Sequence, residues 1–152
     1  MQKITPFLWF DGRAEEATLF YVSIFKNSRV KSINRQGKDG PVFSTTFNLD
    51  GQDFFALNGG PRFTFSPAVS FFVNCESQAE VDDLWGKLTE GGSEEPCGWL
   101  KDKYGMSWQI VPSMMSKLLG DKDPRKAHSV MTAMCKMKKI DIEGLQQAYD
   151  QA

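Results

Sequence analysis

The strongest constraint on this chain is an order of hydrophobic patterns that runs through it twice. Residues 4–10 (ITPFLWF) read as a strand, and 12–26 read as a helix with Ala14, Ala17, Tyr21 and Ile24 on one face. Asp11 is the expected N-cap. Strands follow at 28–35, 42–49 and 52–58, the last two joined by Asp50-Gly51, a tight-hairpin signal. A break at 59–67 (GGPRFTFSP) intervenes, and the order begins again. Residues 68–75 read as a strand, and Ser77 with Glu80 forms a capping box. It opens a helix whose apolar stripe is Val81, Leu84, Trp85 and Leu88. Short strands at 94–97 and 98–103, a turn over Asp102–Gly105 and a strand at 106–112 complete the second round.

Each round is βαβββ. A helix with one apolar face must bury it against a sheet, so the expected class is α+β. The expected architecture is two βαβββ modules forming a curved mixed sheet cup, followed by C-terminal helices. We expect a single domain over 1–152, with module 1 at about 1–60, module 2 at about 67–112 and a helical tail at 113–152. In the tail, Asp123-Pro124 reads as an N-cap followed by proline at the first helical position. Met131, Met134 and Met137 recur at helical spacing, as do Ile142, Leu145 and Tyr149. The methionines suit core or a subunit interface.

Composition narrows the function classes. Eighteen basic against 19 acidic residues leave a net charge of −1, so no positive field draws nucleic acid or an anionic membrane. No apolar run approaches the ~20 residues that span a bilayer, and no leader pattern opens the chain. Cys75, Cys97 and Cys135 are odd in number and lack CxxC spacing, which fits a reducing cytoplasm. No GxSxG elbow is present, and no glycine-rich GxGxxG turn follows a strand, so no dinucleotide or S-adenosylmethionine cofactor is expected.

The segments PFLWFDGRAEEATLFY, FFALNGGP, VSFFVNC, DKYGMSWQIVP and VMTAMCKMKKIDIEGLQQAY carry a resemblance. Together they resemble the PhnB-like branch of the vicinal oxygen chelate superfamily, which includes glyoxalases, extradiol dioxygenases and antibiotic-resistance proteins. That branch often carries the label 3-demethylubiquinone-9 3-methyltransferase. The resemblance implies a U-shaped sheet in which first and fourth strands of each module hold a divalent metal through His or Glu. The corresponding positions here are about Thr5, Ala56, Ser70 and Gln109. None is an imidazole or carboxylate, and the sole histidine, His128, lies in the tail, so no metal site of that type is expected.

Strand alternation places Gln109, Ser107 and Val111 on one face, with Thr5, Phe7 and Trp9, Phe54, Ala56 and Asn58, and Ser70, Phe72 and Asn74 on the matching faces of their strands. An apolar wall with a few polar groups suits a small-molecule pocket. The candidate ligand-binding residues are therefore Thr5, Phe7, Trp9, Asn58, Ser70, Phe72 and Gln109, and no catalytic residue is assigned. The expected protein is a metal-independent small-molecule binder or enzyme, acting as a homodimer. A quinol-type methyltransferase and a non-catalytic sequestering protein are the alternatives, and the sequence does not choose between turnover and binding alone.

Overall fold

The computed structural model describes residues 2–152. The chain divides between Phe65 and Ser66 into two compact units, the second of which includes the tail.

In the first unit, β1 (Phe7–Phe10) is followed by α1 (Ala14–Ile24), β2 (Arg29–Arg35), β3 (Val42–Leu49) and β4 (Gln52–Asn58). The sheet order is β1-β4-β3-β2, with β1 parallel to β4 and the other pairs antiparallel. Leu8, Phe10, Phe47, Leu49, Phe54 and Ala56 are buried, as are Ala14, Ala17, Tyr21 and Ile24 of α1. A fully buried apolar side chain of this size is worth about 1.5–3 kcal/mol. The layers are also pinned by a buried hydroxyl pair, Thr18 to Thr45, at 2.7 Å. The β3–β4 turn bears out the hairpin signal: Asp50 and Gly51 take φ of 47° and 89°, both left-handed.

Asp11 does not cap α1. Arg13 occupies the N-cap position without a side-chain bond. The cap comes instead from Asn58 at the far end of β4, whose Oδ1 accepts from the Ala14 N–H at 2.8 Å.

In the second unit, β5 (Ser70–Cys75) leads to α2 (Gln78–Thr89), β6 (Ser93–Glu94), β7 (Trp99–Lys101) and β8 (Ser107–Pro112), with sheet order β5-β8-β7-β6. The Ser77 hydroxyl accepts from the Glu80 N–H at 3.1 Å, as the capping box requires. Val81, Leu84, Trp85 and Leu88 are buried. Of the strand expected at 94–97 only Glu94 belongs to one, β6, and Pro96–Gly98 is instead a 3₁₀ turn in which Cys97 takes φ of 66°. The β7–β8 turn is organised by buried Asp102, which accepts from Tyr104 N, Met106 N and the Trp108 indole N–H at 2.8, 3.1 and 2.9 Å.

The tail forms α3 (Met114–Leu119), α4 (Pro124–Cys135) and α5 (Ile142–Asp150). The Asp123 side chain caps α4 through Arg125 N, with Pro124 at the start of the helix as expected. Met115, Val130, Met134, Ile140 and Leu145 form a core with Val111 of β8. Met134 is core and Met131 exposed, so the methionine stripe is split. Gln78 ties α2 to the tail by donating to Ile140 O at 3.0 Å and accepting from Ile142 N at 2.8 Å.

Candidate functional site

Each unit has one sheet face under its helix and one face turned away from it. The candidates fall unevenly between these faces.

On the first unit, β1 register sets the faces. Phe7 lies beside Phe55 and Trp9 beside Leu57. Neighbours in register share a face, so Phe55 and Leu57 stand with Phe7 and Trp9 on the side away from α1. Phe54 and Ala56 are buried beneath the helix. The expected facing of β4 is therefore reversed: Phe54, Ala56 and Asn58 lie on the helix side. Phe7 is 58% exposed and its ring lies 5.4 Å from that of Phe55. Thr5 precedes β1 and accepts from the Gln2 amide at 3.3 Å.

The segment Asn58-Gly59-Gly60 is a joint between elements. Besides capping α1, Asn58 donates through Nδ2 to Val42 O at 3.1 Å. A Cβ on Gly59 would stand 2.4 Å from the Trp9 ring, so only glycine leaves the indole its place. Trp9 then donates its indole N–H to Gly60 O at 2.9 Å, and its ring meets Phe63 edge-on at 4.9 Å. A cleft of about 530 Å³ on the helix side is bordered by Gly12, Glu15, Arg35, Phe43 and Asn58, with Gln36 and Pro41 of the loop at 35–41 on its rim. Of the candidate site residues, only Asn58 reaches it.

On the second unit the candidates converge. Ser70 lies beside Ser107 and Phe72 beside Gln109 across the parallel β5–β8 pair. Gln109 Nε2 donates to Ser70 Oγ at 3.0 Å. Phe72 is 53% exposed next to them. Across the other edge of β8, Trp99 lies beside Gln109 and Lys101 beside Ser107. The result is two rows on one face: Phe72, Gln109 and Trp99, then Ser70, Ser107 and Lys101. Ser107 is fully buried, and its Oγ has no hydrogen-bond partner among the described residues. Val111, on the same face, is covered by the tail core.

Trp99 and Lys101 were not among the expected site residues. A signal for them exists: with the five residues 102–106 connecting the strands, 101 falls opposite 107 and 99 opposite 109.

The donor set does not suit a divalent transition metal. Thr5, Ser70 and Gln109 offer neutral oxygens, and Ala56 offers none and is buried under α1. Among the described residues no cluster of three or more His, Cys, Asp or Glu side chains has metal-binding geometry. His128 lies exposed on α4.

The two βαβββ units, each with a four-stranded mixed sheet, define an α+β class of fold built on a doubled module. Within it, the chain belongs to the 3-demethylubiquinone-9 3-methyltransferase family, whose model matches residues 2–111. It is similar to a PhnB protein from Bacillus cereus that carries the same label: 41% identity, 74% of this chain and 100% of that chain covered, TM-score 0.67. A Pseudomonas aeruginosa protein shares the fold at 20% identity, covering 74% of this chain and 98% of its own, with TM-score 0.62. So does a fosfomycin resistance protein from Listeria monocytogenes, solved with manganese(II) and sulfate: 15% identity, 72% and 92% covered, TM-score 0.54. No functionally curated protein matches the chain.

Proposed function

We propose that this protein binds a small planar molecule on the open face of its second sheet, without a metal of the superfamily type. The observation that carries the reading is the Gln109–Ser70 pair at 3.0 Å, set between exposed Phe72 and half-buried Trp99. With its N–H given to Ser70, the Gln109 amide keeps its carbonyl oxygen as an acceptor, and the Ser70 hydroxyl keeps its proton as a donor. A neutral donor–acceptor pair between two aromatic side chains orients a flat ligand bearing a hydroxyl or carbonyl group. Phe7 and Phe55 give the first unit an exposed aromatic patch of its own.

Replacing Gln109 by Leu tests this. The expected result is loss of at least tenfold in affinity for a planar aromatic probe such as phenol, about 1.4 kcal/mol, with the melting temperature nearly unchanged. Normal binding by the folded variant would leave Gln109 a purely structural bridge.

The family label favours a second reading, methyl transfer to a quinol-like substrate. No Gly-rich nucleotide turn supports it, and we expect no calorimetric heat with millimolar S-adenosylmethionine. Saturable heat with that compound would reverse the ranking. A sequestering role without turnover uses the same aromatic wall, and recovery of unchanged ligand after long incubation distinguishes it. The reading further takes the protein to be a cytoplasmic homodimer, supported by three free cysteines and the exposed Phe7 and Phe55. Sedimentation velocity tests the dimer. Among the described residues no helix is long and apolar enough to cross a membrane.

A further inference from the structure

We infer that the site on the second sheet selects a planar anion, an aromatic carboxylate in the simplest case, and that Lys101 and Ser107 hold its charged end. The inference rests on the proposed site and extends it to the ligand's charge. The row Phe72, Gln109, Trp99 offers two ring faces with an amide between them. The next row along the strands, Ser70, Ser107, Lys101, offers two hydroxyls and an ammonium. Successive residues on one face of a strand lie about 6.6–6.8 Å apart along it, so a ring over the first row directs a carboxylate substituent toward the second.

Two observations point to an occupant. Ser107 is 0% exposed, yet its Oγ lacks any hydrogen-bond partner among the described residues. A buried hydroxyl without a partner costs about 1–3 kcal/mol, and a ligand oxygen that reaches it by displacing the side chains covering it relieves that cost. Lys101 beside it is partly buried and forms no ion pair with any described carboxylate, whereas Lys31, Lys87 and Lys139 all do. Ionised donors bind carboxylates more strongly than neutral ones, so charge discriminates sharply here. A phosphate, being tetrahedral and bulkier, fits the flat aromatic row less well than a carboxylate in the plane of its ring.

The test compares benzoate with benzamide, its neutral near-isostere, by following side-chain amide and indole resonances of the intact protein. Benzoate is expected to bind at least tenfold more tightly, with an advantage that shrinks as salt rises. Lys101→Met is expected to abolish that preference while retaining benzamide binding, and Lys101→Gln serves if the methionine variant folds poorly. Ser107→Ala is expected to raise stability while weakening benzoate several-fold. Equal affinity for both compounds, or a preference that survives in Lys101→Met, would overturn the anion assignment and leave the planar-ligand reading standing. Failure of both compounds to move the Gln109 amide would overturn the assignment together with the site beneath it.

Discussion

At the residue scale, the side chains that look most available are not always free to act. Asn58 stands among polar candidates in sequence, but both ends of its amide are occupied, one by Ala14 N–H and the other by Val42 O. Asn58→Ala is therefore expected to lower unfolding stability by about 1–2 kcal/mol in urea titrations, with ligand affinity unchanged. Loss of affinity at full stability would restore Asn58 to the site. Cys75 makes a similar point. Burial, reinforced by Glu80, pushes its thiol up to about 12, so it stays protonated at neutral pH. Alkylation followed by mass spectrometry should label exposed Cys135 quickly and Cys75 only on unfolding. The inertness of Cys75 was legible in its apolar strand. The role of Asn58 was not, because its partners are 44 and 16 residues away and arrive only through folding.

At the scale of elements, the sequence made β8 easy and β4 hard. In β8, Gln109 is the lone amide among apolar neighbours, and its parity follows from one residue. In β4, Phe54, Phe55, Ala56 and Leu57 run apolar on both faces, so alternation has no phase, and register with β1 decides which side faces α1. The helices announced themselves through stripes and caps, and the Pro96–Gly98 turn did not, because it takes two left-handed residues in a row and the first, Cys97, is not a glycine.

The tail offers a pH test of an inter-element contact. Tyr149 of α5 donates to Asp121 Oδ2 at 2.6 Å. That hydrogen bond holds the Asp121 carboxyl below its ordinary 3.8 and holds the Tyr149 phenol above its ordinary 10.0. A depressed carboxyl contributes stability that is present above 3.8 and lost as pH falls through its folded value; a raised phenol contributes stability present below 10.0 and lost as pH rises. Hydrogen exchange in α5 should accordingly quicken below about pH 4 and above about pH 10. In Tyr149→Phe the contribution of this contact to both limbs should vanish. Unchanged profiles in that variant would show that other groups govern the docking.

At the scale of the whole molecule, each unit has its own four-stranded sheet and helix, and the second adds three helices that the matched family region, ending at residue 111, does not include. Those helices cover Val111, two residues from Gln109, and are tied in through Gln78. Truncation after residue 112 should therefore expose the apolar end of β8 and cause aggregation or a sharply lowered melting temperature. A stable, soluble truncated chain would show that the tail is dispensable to the second sheet. The doubled βαβββ order was readable because each pattern is local, whereas the meeting of Trp99, Gln109 and Phe72 depends on pairing across three strands.

The most direct test of the account is to titrate isotope-labelled protein with benzoate and follow the side-chain amide of Gln109 beside the indole of Trp99. The account predicts that both signals move together and saturate, with the Trp9 indole, bonded to Gly60, responding little. Signals from Gln109 and Trp99 that stay fixed while residues elsewhere saturate would contradict it.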